Sequence, residues 1–374
     1  GERACTSYGI YRDGKYRRIR QVDLPDSLGL LYEDITAHLG FLRSCDEYKV
    51  MALAAYGKPR FVARLRELLT YRDHGYYEVA PADWRCVLGA PRTPGTPLEA
   101  LHFDIAHSLQ VVLEETVADM AAWLHRESGA SRLAMAGGVA LNCVMNAKLR
   151  ERGPFADIWV QPAAGDAGTA LGAALWIDAQ QQVRAQPRWQ MEHVFLGPAF
   201  PDDEIEQLLL HSKLPYRRPG DIVQESAALL ARNKIVGWFQ GRMEFGPRAL
   251  GARSILASPL DPSMQERLNH IKEREDFRPV APMVLEEAAG DWFVGAGASP
   301  FMLFVYDVRP DKADRIPAVR HVDGSARVQT IRRSQHSACY DLLQAFGEDN
   351  VFFLASGVAF NILMAALPFI LLLV

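Results

Sequence analysis

Residues 240–254 read Gln-Gly-Arg-Met-Glu-Phe-Gly-Pro-Arg-Ala-Leu-Gly-Ala-Arg-Ser, and they follow a short apolar stretch, Ile-Val-Gly-Trp-Phe, at residues 235–239. The apolar stretch predicts a strand. The glycines of the following loop allow backbone angles that other residues resist and let the chain approach a ligand closely. Arg242, Arg248 and Arg253 add planar guanidinium groups that match phosphate or carboxylate oxygens. The pattern predicts an anion-binding loop after a strand, and a solvated turn with surface arginines is the alternative.

Two further cationic stretches lie downstream of this loop. Residues 269–279 contain Lys272 and Arg278, and residues 321–330 contain Arg327. The chain as a whole is slightly acidic, with a net charge of −4, so three cationic stretches in one region are not a consequence of overall composition. We therefore expect the three stretches to converge on one anionic ligand.

Length and composition limit the classes of function. The 374 residues are enough for two domains with sizeable cores. A net charge of −4 argues against nucleic acid as the main partner, because the chain lacks an overall basic field. The five cysteines are scattered without a C-x-x-C pair, so neither a disulfide framework nor a zinc site is supported. A reducing cytoplasm is the expected location.

Local patterns predict the first elements of the chain. Residues 4–20 read as two strands joined by a turn at Asp13-Gly14, which is a typical hairpin signal. Residues 100–125 carry apolar side chains at three- and four-residue intervals, which predicts an amphipathic helix. His102 and His107 are five residues apart and point to different sides of this helix, so we expect buried or capping roles rather than metal ligation.

A strand–glycine loop–helix pattern occurs twice in succession. Residues 132–136 and 157–162 read as strands, and a glycine-containing loop and the start of a helix follow each of them. Such loops let the sugar and phosphates of a nucleotide approach the positive end of a helix. The tandem pattern fits the α/β core of the actin, Hsp70 and sugar-kinase class. The predicted nucleotide-binding residues are Gly137, Gly138, Val139, Asn142, Gly165 and Gly168.

Together these motifs resemble the NodU/CmcH-type O-carbamoyltransferases, in several separate blocks over roughly residues 1–348. The resemblance implies an α/β fold, with a partial Kae1-like domain of the actin class at residues 1–190 and a YrdC-like α/β domain at residues 195–350. A proline-rich passage at residues 186–198 is a suitable boundary between the two.

The resemblance also implies a reaction and roles for the cationic residues. The family makes carbamoyl adenylate from carbamoyl phosphate and ATP, and then passes the carbamoyl group to a hydroxyl group of a small metabolite or glycan. Lys272 and Arg327 stand at positions that the family uses for the phosphate of carbamoyl phosphate, and Arg248 is the third expected catalytic residue. Such a step needs cations that neutralise phosphate charge as it redistributes. Further residues expected to bind phosphate are Arg242, Arg253 and Arg278.

A divalent metal, usually iron in the family, and Mg²⁺ with ATP are further implications of the resemblance. Asp166 falls at the position of a metal-binding aspartate, although the residue alone would favour a helix cap. The family's H-x-x-x-H motif is absent from this sequence, so we expect an incomplete metal site in a chain that lacks the first strands of the Kae1-like domain. One carboxylate alone cannot hold a transition metal tightly.

Residues 351–374 carry no charged side chain, and as a helix they would cross the ~30 Å hydrocarbon core of a membrane. A C-terminal apolar helix is the expectation, either as a buried core helix or as a membrane span. The segment resembles the first span of BrkB-type membrane proteins, which suggests a fused or frameshifted reading frame. If residues 351–374 instead fold with the second domain, we expect them to take the place of a strand of that domain.

Two other functions stay open on the sequence. Kae1-type threonylcarbamoyl transfer to tRNA is one, and the arginine-bearing C-terminal domain and the acidic charge argue against it. An inactive, membrane-attached product is the other, through residues 351–374. The expected partners of the leading hypothesis are carbamoyl phosphate and a hydroxyl-bearing acceptor, without nucleic acid, and a homodimer is compatible with the sequence.

Overall fold

The computed structural model describes residues 3–181, 190–347 and 353–357. The chain divides into two compact units, Gly1–Arg184 and Ala185–Val374. Both units combine helices with strands, which confirms the predicted α/β class. The identity of the units as Kae1-like and YrdC-like domains stays a prediction.

Helices and strands alternate irregularly along the first unit. They are, in chain order, β1 (Ala4–Arg12), β2 (Lys15–Asp23), α1 (Leu28–His38), α2 (Glu47–Leu53), α3 (Val62–Leu68), β3 (Leu69–Tyr71), β4 (Tyr77–Val79), α4 (Trp84–Leu88), α5 (Ala100–Ser128), β5 (Arg132–Met135), α6 (Cys143–Arg152), β6 (Asp157–Val160) and α7 (Thr169–Gln181). Short 3-10 turns at Gly138–Leu141 and Asp166–Gly168 precede α6 and α7.

The predicted hairpin is present. Strands β1 and β2 pair in antiparallel register from Ala4↔Asp23 to Arg12↔Lys15. The turn residues Asp13 and Gly14 have φ values of 51° and 79°. Positive φ at both central residues is typical of the tight turns whose twist matches that of two hairpin strands, and Asp-Gly is a favoured pair there.

The long predicted helix is α5, which runs a few residues further than the apolar pattern suggested. Its first turn is closed by a reciprocal cap, in which His102 Nδ1 accepts the backbone N–H of Glu99 at 2.9 Å. The helix ends at Gly129, whose φ of 60° only glycine adopts readily. The predicted capping role of His102 is confirmed, and His107 Nδ1 lies 2.8 Å from the carbonyl oxygen of Ala54.

Strands β5 and β6 are parallel, from Arg132↔Asp157 to Met135↔Val160. Parallel strands end at the same edge of a sheet, so the two loops that follow them lie side by side. A hydrogen bond of 2.8 Å from Gly137 N–H to the Ala164 carbonyl oxygen joins these loops directly. The tandem strand–glycine loop–helix pattern predicted from the sequence is therefore present, with a 3-10 turn before each helix.

The second unit has a sheet at its centre. Its elements are α8 (Asp202–His211), α9 (Ile222–Ala231), β7 (Val236–Phe239), β8 (Arg253–Ala257), α10 (Met264–Ile271), β9 (Ala281–Leu285), α11 (Ala289–Trp292), β10 (Tyr306–Asp307), β11 (Ser325–Ala326), β12 (Gln329–Ile331), α12 (Ser337–Gly347) and β13 (Phe353–Gly357). Among the described residues, the sheet has the order β12-β9-β13-β8-β7.

Both faces of this sheet are buried. On one face Val284 of β9 packs with Leu268 of α10 in an apolar cluster. On the other face Met283 and Leu285 of β9 pack with Leu342 of α12 in a second cluster. Successive side chains of a strand point to opposite faces, so the apolar run at 281–285 supplies both cores at once.

The expected apolar helix at residues 351–374 is wrong for residues 353–357, which form strand β13. The strand lies between β8 and β9 and pairs antiparallel with both of them. An uncharged apolar run is typical of a central strand as well as of a helix, and here the unpaired backbone groups of β8 and β9 select the strand. The alternative that the segment takes the place of a strand is confirmed for these residues, and residues 358–374 lie outside the described part of the chain.

No helix within the described ranges combines the length and the apolar character that a membrane span needs.

We predict that Gly57→Ala destabilises the first unit by about 1–3 kcal/mol, the usual cost of overpacking. A Cβ atom at Gly57 would lie 2.0 Å from the carbonyl oxygen of Phe103 in α5, and backbone cannot move aside as a side chain does. The matched control is Gly172→Ala in α7, where no atom lies within 4 Å of the added Cβ. That change should be neutral or stabilise by up to about 1 kcal/mol. Urea unfolding of both variants tests this, and equal stability of the two would contradict it.

Candidate anion-binding site of the second unit

Residues 240–252, called the arginine loop below, connect β7 to β8. The two strands pair antiparallel from Val236↔Leu256 to Phe239↔Arg253 and hold the two ends of the loop together. Backbone hydrogen bonds of 2.7–2.9 Å join Met243 and Phe245 to the segment 194–198. At Gly251 the φ of 108° excludes other residue types, and an added Cβ would meet Cys339 Sγ at 2.8 Å.

Glu244 is a buried residue of the arginine loop, with 8% of its surface exposed. Its Oε1 accepts three backbone N–H groups, from Leu250 at 2.7 Å, Ala252 at 2.8 Å and Arg253 at 3.2 Å. Backbone N–H groups bind an ionised oxygen more strongly than a neutral one. The sequence motifs alone gave Glu244 no role, although a single carboxylate within a cationic loop is a usable signal.

Arg242 and Arg253 bind backbone oxygens. The Arg253 guanidinium donates to the carbonyl oxygens of Gln240, Gly241 and Ala252 at 2.9–3.2 Å, and it lies 3.5 Å from the centre of the Phe239 ring. Burial lowers the pKa of Arg253, and the charge of Glu244 acts in the opposite direction. Arg242 is exposed and donates to the carbonyl oxygen of Leu196 at 2.8 Å. Arg253 therefore braces the loop, and phosphate binding by either residue stays a prediction.

Arg327 lies in the short stretch between β11 and β12. Ser299 braces that stretch, because its N–H donates to Thr330 Oγ1 at 2.8 Å and its Oγ donates to the Val328 carbonyl oxygen at 3.1 Å. Within the described ranges, the Nε atom of Arg327 is buried and has no hydrogen-bond partner. A buried donor of this kind is costly unless a ligand or water satisfies it.

The turn before Arg327 is fixed by Asp323. Its Oδ1 accepts two hydrogen bonds from Ser325, from the backbone N–H at 2.9 Å and from the side-chain hydroxyl at 2.7 Å. The same oxygen lies 3.6 Å from His321 Nδ1. Burial by itself would raise the pKa of Asp323, but the hydrogen bonds from His321 and Ser325 lower it to about 2. The carboxylate is therefore ionised at neutral pH and holds the turn in place.

Lys272 lies at the C-terminal end of α10, where Glu273 has a positive φ of 47° and the chain turns back. Asn269 is fully buried and donates its amide to the carbonyl oxygens of Asp276 and Arg278, both at 3.1 Å. These bonds fold residues 272–278 onto the helix. Burial, followed by the positive charges of Arg274 and Arg278, lowers the pKa of Lys272 to about 7.

Strand direction brings the three cationic stretches to one edge of the sheet. Strand β13 is antiparallel to both β8 and β9, and β12 is parallel to β9, so β8, β9 and β12 run in the same direction. Each of them is entered from a cationic stretch: β8 from the arginine loop, β9 from residues 272–280, and β12 from Arg327. A buried bond of 2.7 Å from Gln329 Nε2 to the Leu250 carbonyl oxygen ties the first stretch to the third. Binding of one ligand by the side chains of all three stretches stays a prediction.

The glycine loops of the first unit are partly explained by local packing. Asn142 accepts the N–H of Met145 at 3.0 Å as the cap of α6, and it exchanges side-chain hydrogen bonds with Gln110. Gly168 is required because a Cβ there would lie 2.1 Å from the Ala163 carbonyl oxygen. Gly137 and Gly138 are exposed, with no atom within 4 Å of an added Cβ. Nucleotide contacts by Gly137, Gly138, Val139, Asn142, Gly165 and Gly168 stay predictions.

The residues present do not fit a transition-metal site. Asp166 is exposed at the first residue of its 3-10 turn. Over residues 3–181, 190–347 and 353–357, no group of three or more His, Cys, Asp or Glu side chains could hold a metal ion. A lone carboxylate binds such ions weakly.

We predict that replacing Lys272 by Met changes how the free energy of unfolding depends on pH. The folded-state pKa of Lys272 is depressed from 10.5 to about 7, so the unfolded chain binds one more proton than the folded chain between these values. The wild type should therefore become more stable relative to Lys272→Met as pH rises from about 7 to about 10. Below about pH 7 the difference should be constant, because Lys272 is protonated in both states. Urea unfolding of both proteins across this range measures it, with the exposed Lys234→Met as control, and identical pH profiles would contradict it.

Two family models match the chain in order: "Carbamoyltransferase N-terminus" over residues 1–175 and "Carbamoyltransferase C-terminus" over residues 227–366. The second match continues past residue 350, which argues against a junction with an unrelated membrane protein at Val351. The chain is 42% identical to nodulation protein NolO of Bradyrhizobium diazoefficiens over 337 residues, covering 86% of this chain and 60% of NolO.

Two further relatives match most of the chain. An uncharacterized protein of Synechocystis sp. is 39% identical over 391 residues, which cover 92% of this chain and 63% of that protein. Nodulation protein U of Rhizobium fredii is 37% identical over 317 residues, which cover 79% of this chain and 52% of that protein. The chain thus spans less than two thirds of the length of these relatives. Since both of its halves match the corresponding models, the chain belongs to the carbamoyltransferase family.

Proposed function

We propose that this protein is an O-carbamoyltransferase. It uses carbamoyl phosphate, ATP and water to make carbamoyl adenylate, with release of phosphate and pyrophosphate. The carbamoyl group is then transferred to a hydroxyl group of a small metabolite or glycan, with release of AMP. Family membership supports the transfer of a carbamoyl group. The donor, the adenylate and the acceptor are the parts of the proposal that go beyond it.

The observation that carries the proposal is the common edge at which β8, β9 and β12 begin. In a sheet, neighbouring strands are about 4.8 Å apart. The stretches before β9 and β12 are therefore neighbours, and the Gln329–Leu250 bond reaches the arginine loop from β12. Lys272, Arg248 and Arg327 can then act on the phosphate groups of one substrate pair.

In the adenylation step, negative charge moves onto the departing phosphate groups. Fixed guanidinium and ammonium groups stabilise that charge without having to reorient at the moment of reaction. The buried Nε of Arg327 is a donor suited to such an oxygen. The pKa of Lys272 is lowered to about 7. An anionic neighbour favours the protonated form of Lys272 and so opposes this lowering.

We assign nucleotide contacts in the first unit to the exposed Gly137 and Gly138, at the carboxyl ends of two parallel strands. This position is where α/β proteins commonly bind nucleotides, and it supports the proposed actin-class, Kae1-like identity of the unit. ATP accompanied by Mg²⁺ is the proposed nucleotide. The family's iron has no fitting set of ligands among the described residues, so no step of this proposal uses it.

The proposed setting is the cytoplasm, because the cysteines of the described ranges are all free thiols. A small hydroxyl-bearing molecule is the proposed acceptor, and nucleic acid is not expected as a partner.

We predict that Lys272→Ala or Arg327→Ala lowers pyrophosphate release, measured with carbamoyl phosphate and ATP, by about 100-fold or more. Each change removes a cation from the edge where phosphate charge develops. Lys234→Ala, which removes an exposed cation outside the three stretches, is the control and should retain wild-type activity. Undiminished pyrophosphate release in either Lys272→Ala or Arg327→Ala would refute the proposed roles.

A further inference from the structure

A hydrogen bond to the side chain of Glu244 closes residues 244–250 into a ring, and Arg248 is one of the residues of this ring. Glu244 Oε1 accepts the N–H of Leu250 at 2.7 Å, so the two ends of the segment 244–250 are bonded to each other. Arg248 lies inside this closed segment. The same oxygen accepts the N–H groups of Ala252 and Arg253, which anchors the ring to the start of β8.

Two contacts hold the ring from outside. The backbone of Glu244 forms a β-bridge with Phe195. At the other end of the segment, Gln329 Nε2 donates to the carbonyl oxygen of Leu250 at 2.7 Å, and Gln329 is 1% exposed. The ring is therefore fixed at Glu244 and at Leu250, the two residues that the side-chain bond joins.

We propose that Glu244 is a positioning residue for oxyanion binding: through the amides of Leu250, Ala252 and Arg253 it holds Arg248 in place for the phosphate of a substrate. The inference rests on the proposed function for the class of ligand, and it adds a residue that does not itself contact the ligand. Glu244 is acidic and buried, so direct contact with a phosphate would be repulsive.

Loop entropy explains why a positioning residue is needed. Fixing the backbone of a residue costs conformational entropy, and this cost opposes binding when it must be met together with ligand binding. A loop that is already closed in the free protein avoids that loss, and its arginine binds more tightly without any additional contact. The three N–H bonds on one carboxylate oxygen provide this closure before any ligand arrives.

A carboxylate is also the group that suits these three donors. Amides at 2.7–3.2 Å around one oxygen stabilise negative charge on it. Glutamine retains an acceptor oxygen of the same reach, whereas alanine leaves the three buried N–H groups without a partner. The two substitutions therefore separate loss of charge from loss of the ring.

The test measures the affinity of the full chain for inorganic phosphate by isothermal titration calorimetry. We expect Arg248→Ala and Glu244→Ala each to weaken binding about tenfold or more, and Glu244→Gln to stay within about threefold of wild type. Adding Glu244→Ala to Arg248→Ala should have little further effect, because Glu244 acts through Arg248. Glu225→Ala, which removes a surface ion pair with Arg217, is the matched control and should leave affinity unchanged.

Amide hydrogen exchange supplies a readout that needs no ligand. The amides of Leu250, Ala252 and Arg253 should lose protection in Glu244→Ala and keep it in Glu244→Gln. Wild-type phosphate affinity in Glu244→Ala, additive losses in the double variant, or no phosphate binding by the wild type would each overturn the proposal. If phosphate binds and the Glu244 and Arg248 substitutions are coupled, but no pyrophosphate is released, the inference stands and the proposed reaction is refuted. Failure of the inference and failure of the proposed function are therefore distinguishable.

Discussion

The shared direction of β8, β9 and β12 is the constraint on which the candidate site depends. Strand β13 sets it, because antiparallel pairing with both β8 and β9 makes those two strands parallel to each other. Apolar clusters cover both faces of the sheet, so polar connecting segments must lie at its edges and ends. Three segments rich in cations consequently meet at one edge, although they are distant from one another in the sequence.

Buried polar side chains that bind backbone order three of the loops of the two candidate sites. Glu244 does this in the arginine loop, Asn269 in the loop after α10, and Asn142 in the first glycine loop. In each case the buried side chain satisfies backbone groups that secondary structure leaves over. The loops are thereby ordered without ligand, which lowers the entropy that ligand binding must overcome.

Electrostatics within the second unit favour an anionic ligand. Residues 272–278 hold Lys272 near Arg274 and Arg278, and burial adds to their effect on its pKa. An oxyanion bound among these cations would relieve the repulsion between them. Arg253 uses three of its N–H donors on the carbonyl groups of its own loop.

The sequence by itself determined the features that depend on neighbouring residues. The Asp-Gly hairpin, the helix capped by Glu99 and His102, the two glycine loops and the strand before the arginine loop follow from turn chemistry, caps and apolar periodicity within short windows. Tertiary structure decided the rest. The strand at Phe353–Gly357 and the Gln329–Leu250 bond depend on groups that approach from distant parts of the chain. The acceptor role of Glu244 and the low pKa of Lys272 depend on how the folded chain turns their own loops back and buries them. An apolar run fits a helix or a strand equally well alone, and a charged side chain acquires its partner and its pKa only when the folded chain brings the other groups near.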